Sequence, residues 1–131
     1  MKIRADKIEI APFMGLSTVQ ARRILTVIPK EWLTDVSEIH ISGSLVPSNS
    51  RWGHDEASFN CYYGRLTIFA RGHTWQELVA PILSALAAHH LALSRRRDNR
   101  LSDADAKKLS RIIAPFAEQI IAEAFASDVT Y

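Results

Sequence analysis

The sequence predicts an α+β domain in which helices pack on a small mixed sheet. Apolar residues recur at helical spacing in the second half of the chain, whereas short segments rich in β-branched and aromatic residues lie in the first half. With 131 residues, the chain is long enough for one domain with its own core. We therefore predict a single domain over residues 1–131, in which 127–131 form a short C-terminal tail.

The predicted strands are short. Ile3–Ile10 alternates weakly and predicts an edge strand, and Val36–Ile41 alternates apolar and polar residues. Ala57–Tyr63 and Arg65–Ala70 are rich in aromatic and branched residues, with Gly64 between them as a turn residue. The last two segments therefore predict a β-hairpin, and a single bulged strand is the alternative.

The first predicted helix begins after Ser17, because Ser17 and Gln20 have the spacing of a capping box. Pro29 ends this helix, since proline does not continue a helical hydrogen-bond pattern. Four apolar residues predict the face that packs on the core: Val19, Ile24, Leu25 and Ile28.

Two further helices are predicted in the second half. Thr74 and Glu77 form a second capping box, and the helix that follows is predicted to reach about Leu93 with a kink at Pro81. Ser102 caps the last helix, which we expect Pro115 to divide in two. Its two apolar stripes are Ile112, Phe116, Ile120 and Ala124, and Ile113, Ala117, Ile121 and Phe125.

Composition narrows the protein class. Hydrophobic residues make up 47% and charged residues 23%, which are ordinary globular values and exclude a wholly disordered chain. The formal charge of +2 does not by itself indicate a nucleic-acid or membrane partner. The first residues lack the apolar stretch of a signal peptide, and one cysteine, Cys61, cannot form an internal disulfide. We expect a cytoplasmic protein without a membrane span, or one incorporated into a virion assembled there.

Two helical segments resemble a known family. Leu83–Leu91 aligns without gaps on a helix that carries the pattern His-Glu-x-x-His, and Gln119–Ala126 aligns on a later helix that reads Glu-x-x-Ala-Glu-Ala-Phe. These segments and the order of elements around them resemble the zincin-like metallopeptidases, above all the small zincin-like proteins of phages and prophages. The resemblance implies a zincin-like fold, in which a small mixed sheet packs against the long His-Glu-x-x-His helix and a further C-terminal helix follows.

The residues that carry the chemistry of that family differ in this chain. Ala85 stands at the first zinc-binding histidine, Leu86 at the general-base glutamate and Gln119 at the third zinc ligand. His89 matches the second histidine, and Glu123 matches the second, supportive glutamate of the later motif. A catalytic zinc needs three protein ligands, and the glutamate takes a proton from the zinc-bound water. We therefore predict no catalytic residue, metal or cofactor, and expect Ala85 and Leu86 to belong to the helix core.

The resemblance then implies an inactive peptidase domain that acts through protein–protein contacts, as a structural component of a phage or prophage particle. Its expected partners are other phage structural proteins or further copies of itself. One alternative is a zinc-dependent peptidase in which His89 combines with unexpected ligands, taken from His54, His73, Glu123 and Asp128. His90 is a poor second ligand, because adjacent helical residues point about 100° apart.

Other residues are candidates for an interface. Arg95, Arg96, Arg97 and Arg100 predict a solvated connection between helices, and the alternative is a basic patch that binds nucleic acid or an acidic protein. Trp52, in a loop rich in serine and asparagine, is a candidate interface anchor. Tyr131, at the end of the tail, is a candidate docking residue.

Overall fold

The computed structural model describes residues 1–6, 15–44, 56–60, 62–92 and 102–128, with side chains as far as residue 123. Its elements are β1 (Lys2–Ala5), α1 (Thr18–Val27), a 3₁₀ helix (Lys30–Leu33), β2 (Glu38–Ser42), β3 (Ala57–Asn60), β4 (Arg65–Phe69), α2 (Trp75–His90) and α3 (Asp103–Asp128). The fold is therefore α+β, as predicted from the sequence.

The four strands form one mixed sheet in the order β1-β2-β4-β3. β1, β2 and β4 run parallel to one another, and β3 runs antiparallel to β4. The predicted hairpin is confirmed, and its turn contains Gly64 in the left-handed region at φ 61°. The predicted edge strand is also present, but it ends at Ala5, since Asp6 already lies outside the strand, and residues 7–10 lie outside the described ranges.

Strict alternation along the strands gives the sheet one apolar and one polar face. One row of register partners across the four strands is apolar: Ile3, Ile39, Leu66 and Phe59. The neighbouring row is polar: Arg4, His40, Thr67 and Ser58. Ile39 and Leu66 are buried in a core that includes α1, α2 and α3 residues, so the apolar face is the one that the helices cover.

Helix α1 begins as predicted, with the capping box of Ser17 and Gln20 formed in both directions. Its predicted buried face needs correction at Val19, which is 64% exposed. The face that packs on the core instead follows Ala21, Ile24 and Ile28, spaced three and four residues apart. Val19 lies two residues from Ala21 and therefore points away from that face.

Both prolines lie within continuous helices. α2 runs from Trp75 to His90 through Pro81, and the buried residues around Pro81 hold the helix in place by tertiary packing. α3 runs unbroken from Asp103 to Asp128, so the predicted division at Pro115 is wrong. Pro115 and Arg111, whose carbonyl loses its helical N–H partner at the proline, are both exposed, so this carbonyl lies on a side of the helix where solvent can replace the missing donor. α3 also includes residues 127 and 128 of the predicted tail. Within the described ranges, none of the helices is long and apolar enough to cross a membrane.

Three carboxylates fasten the sheet and the start of α2. The Arg4 guanidinium, with help from Arg65, lowers the pKa of Glu38 between two neighbouring strands. The Gly43 N–H, followed by His40, lowers the pKa of Asp6 at the end of β1. An unperturbed Asp or Glu carboxyl has a pKa near 4. The lowered pKa values mean that the folded state favours the charged forms of Asp6 and Glu38. A third shift concerns Glu77, whose pKa is lowered by its hydrogen bonds to His73 and Thr74.

We expect the melting temperature to fall as the pH drops below about 4.5. The unfolded chain binds more protons than the folded one in this range, so the lowered pKa values contribute stability that acid removes. Circular dichroism melts between pH 3 and 7 measure the effect. Glu38→Gln should flatten the profile, because it removes the carboxylate held by Arg4 and Arg65, and the same change at Glu118, an exposed glutamate of α3, is the matched control for the substitution. A Glu38→Gln profile identical to wild type would contradict this assignment.

Candidate functional site

The C-terminal half of α2 contains the two positions at which the resemblance would place a zinc ligand and a general base. Leu86 is fully buried, and Ala85 is also buried. Both belong to one cluster with strand residues such as Ile68 and Leu66. The side chains therefore complete the core, as predicted. Neither offers a polar atom, so this part of the helix surface can neither bind a cation nor move a proton.

His89 lies one turn further along α2 and contacts two other elements. Its Nε2 lies 2.8 Å from Oδ2 of Asp35, in the turn that follows the 3₁₀ helix. Its ring packs on Phe59 of β3 at a centroid distance of 4.5 Å. With 29% of the side chain exposed, His89 links the end of α2 to the edge of the sheet. Because Asp35 engages Nε2, only Nδ1 is left for another partner.

Gln119 and Glu123 occupy one exposed face of α3. The Gln119 side-chain amide donates to Oε1 of Glu123 at 3.1 Å, four residues along the helix. A glutamine carbonyl brings no charge to a cation, and this contact already occupies one of the Glu123 oxygens. These two positions form a local surface pair rather than part of a ligand set.

The alternative zinc site around His89 does not assemble from the residues that the structure describes. His73 pairs with Glu77 at 3.1 Å at the start of α2. His73 precedes α2 and His89 lies near its end, and the fourteen helical steps from Trp75 to His89 alone span about 21 Å. Among the described residues, no three His, Cys, Asp or Glu side chains lie close enough to hold a metal ion. The described residues therefore do not fit a catalytic zinc. His54 and the Asp128 side chain lie outside them.

His90 faces a different environment. It is exposed, and its ring lies 6.5 Å from that of Trp32. Trp32 is buried and meets Phe116 of α3 edge to face at 5.2 Å. Trp32 thus closes the core between the 3₁₀ helix, α2 and α3, and His90 borders this aromatic contact. The two adjacent histidines consequently serve two separate contacts.

The β3–β4 turn, which was predicted at Gly64, presents two aromatic rings that were not predicted as site residues. Tyr62 is 93% and Tyr63 is 70% exposed. Backbone contacts hold the turn, because the Gly64 carbonyl accepts from the N–H of Ser37 and that of Glu38. Two successive tyrosines beside a glycine turn were the available signal, since exposed tyrosine is a frequent interface anchor. The turn adjoins the edge strand β3, which packs against α2.

Several predicted interface residues lie outside the described ranges. These are Trp52, Arg95, Arg96, Arg97, Arg100 and Tyr131, and the same holds for Cys61. No protein-family model matches the chain, and comparisons with curated proteins and with solved structures find no match either.

Proposed function

We propose that this chain is a zincin-like protein without peptidase chemistry, which acts through protein contacts as a structural or accessory component of a phage or prophage particle. One observation supports the loss of catalysis above all others. Where a zincin-like peptidase needs its general base, Leu86 is fully buried in the core. A carboxylate there would be desolvated and would have no water to activate.

The contact function is supported by the edge of the sheet. β3 is an edge strand beside the helix that would be the active helix of a zincin-like peptidase, and in that family an extended peptide can pair with such a strand. The adjoining turn displays Tyr62 and Tyr63 on a fixed backbone. Backbone groups at an edge provide affinity, and exposed aromatic rings are good anchors for a protein partner.

A peptidase assay tests the loss of catalysis. We expect the purified protein with added zinc to release no more fluorescence from labelled casein than His89→Ala does, and a chelator to change neither rate. His89→Ala is the matched control because it removes the one matching histidine of the helix motif. Hydrolysis that zinc restores, that a chelator stops and that His89→Ala lacks would refute the proposal.

A sedimentation experiment tests the particle role. When the producing phage or prophage is induced, we expect the chain to travel with assembled particles through a density gradient at a fixed ratio to the major capsid protein. A double variant, Tyr62→Ser with Tyr63→Ser, should fold normally and remain mostly in the soluble fraction. Its control is Ser110→Ala, an exposed change on α3. Wild-type protein that never sediments with particles would refute this role.

A further inference from the structure

The outer edge of β3 presents backbone groups in a defined pattern. The Phe69 N–H donates to the Glu56 carbonyl at 2.7 Å, which makes these two residues a hydrogen-bonded pair of the antiparallel ladder. Hydrogen-bonded and non-hydrogen-bonded pairs alternate along such a ladder. Ser58 and Asn60 therefore direct their N–H and C=O groups towards β4. Ala57 and Phe59 direct theirs away from the sheet.

Within the described residues, this edge lacks two of the features by which proteins block strand pairing, namely charged side chains and proline within the strand. The other edge strand, β1, carries Lys2 and Arg4, which are exposed. β3 reads Ala-Ser-Phe-Asn and has neither charge nor proline. Within the described residues, no strand pairs with its outer side. A strand of this composition can accept another strand by backbone pairing.

We propose that β3 pairs antiparallel with β3 of a second copy of this chain, across a two-fold axis at Ser58. This inference rests on the proposed contact function and names its partner. With the axis at Ser58, Ala57 of each copy lies opposite Phe59 of the other. These are the two residues with outward backbone groups, so each Ala57–Phe59 pair exchanges two hydrogen bonds. The two four-stranded sheets join into one continuous sheet.

The side chains are self-complementary in the same register. Glu56 of each copy lies opposite Asn60 of the other, and its carboxylate can accept from the Asn60 amide nitrogen. The Asn60 amide oxygen already accepts from the Tyr62 N–H at 3.0 Å, which turns the donor side of the amide to other partners. On the helix-covered face, Ala57 meets Phe59, which is an apolar contact. On the polar face, the two exposed Ser58 side chains meet at the axis.

The length of β3 limits the strength of this contact. Four residues per copy bury much less than the roughly 1,000 Å² that a stable complex needs as a minimum. The pairing is therefore weak for free protein and becomes significant when a scaffold holds many copies close together. A symmetric particle provides that condition, because a two-fold contact repeats at every equivalent position.

Disulfide trapping tests the position of the axis. Opposed residues of a non-hydrogen-bonded pair have Cα atoms about 4.5 Å apart, which suits a disulfide. In a Cys61→Ser background, we expect Ser58→Cys to give a covalent dimer under mild oxidation at high protein concentration. Ser110→Cys, an exposed serine on α3, is the control and should remain monomeric. Equal cross-linking of both variants, or of neither, would overturn the proposal.

A charge exchange tests the register independently. Asn60→Asp keeps an oxygen that can accept from the Tyr62 N–H, but it adds a negative charge opposite Glu56 of the second copy. Because of the two-fold axis, this repulsion between like charges occurs at two equivalent pairs. We expect its dissociation constant by sedimentation equilibrium to rise about tenfold. The double variant Glu56→Lys with Asn60→Asp should return to within about threefold of wild type, because opposite charges then face each other. Absence of this rescue would contradict the register. Chelator-sensitive peptidase activity would refute the proposed loss of catalysis and leave both dimer measurements valid.

Discussion

Leu86→Glu, which places the general base of the zincin-like peptidases at its aligned position, should lower the free energy of unfolding by about 4 kcal/mol or more. Leu86 is fully buried among apolar residues, so the carboxylate would lose its water without gaining a partner. Since many domains have a total stability of only about 5–15 kcal/mol, this variant should be partly or wholly unfolded. Urea denaturation monitored by circular dichroism measures the loss.

Leu86→Met is the matched control, because it conserves volume and polarity and should cost less than about 1.5 kcal/mol. The difference in unfolding free energy between the two variants therefore reports the cost of burying a charge, apart from the cost of changing the side-chain shape. If Leu86→Glu unfolded at the same urea concentration as Leu86→Met, position 86 would have access to water. The main support for the proposed loss of catalysis would then be withdrawn.

Gly64→Ala should destabilise the protein by about 2–4 kcal/mol, for two reasons that add. Gly64 has φ 61°, a conformation that alanine adopts only at a cost. A Cβ atom there would also lie 2.7 Å from the Asp35 carbonyl oxygen, which is too close for any real contact. The backbone that holds Asp35 and the tyrosine turn would have to move, and Asp35 would then fit less well against His89.

Two controls separate these reasons. Gly64→Asn should remain destabilised by the close contact, although asparagine tolerates the left-handed conformation better than alanine does. Gly72→Ala, at an exposed glycine with φ 79°, should show mainly the conformational cost, about 1 kcal/mol. Urea midpoints give all three values. A Gly64→Asn variant as stable as wild type would mean that the approach to Asp35 is not tight.

Local signals in the sequence predicted most of the secondary structure correctly. The capping boxes at Ser17 and Thr74 and the hairpin around Gly64 depend on neighbouring residues, so short patterns are sufficient. The predicted division of α3 at Pro115 was wrong because the cost of a proline depends on whether its face of the helix is solvated. A linear pattern does not reveal which face that is. The predicted burial of Val19 was wrong because the side of α1 that meets the core depends on tertiary packing, and Val19 lies on another side.

The candidate site was predictable only in part. Alignment of one helix was enough to expect Ala85 and Leu86 in the core. The partners of His89 were not predictable, because Asp35 lies 54 positions away in the sequence. Which strand of the hairpin lies at the edge was not predictable from local signals, since it follows from the parallel pairing of β2 with β4, which leaves β3 outside. Contacts between distant segments depend on topology, and no local pattern encodes them.

The zinc content of the native protein gives the sharpest test of the proposal that this chain lacks peptidase chemistry. We expect inductively coupled plasma mass spectrometry of protein purified without chelators and dialysed against zinc to find far less than one zinc per chain. His89→Ala should give the same value, because His89 contacts Asp35 and Phe59 and belongs to no group of three metal-ligating side chains in the described part of the chain. One zinc per chain in the wild type, lost in His89→Ala, would contradict the account.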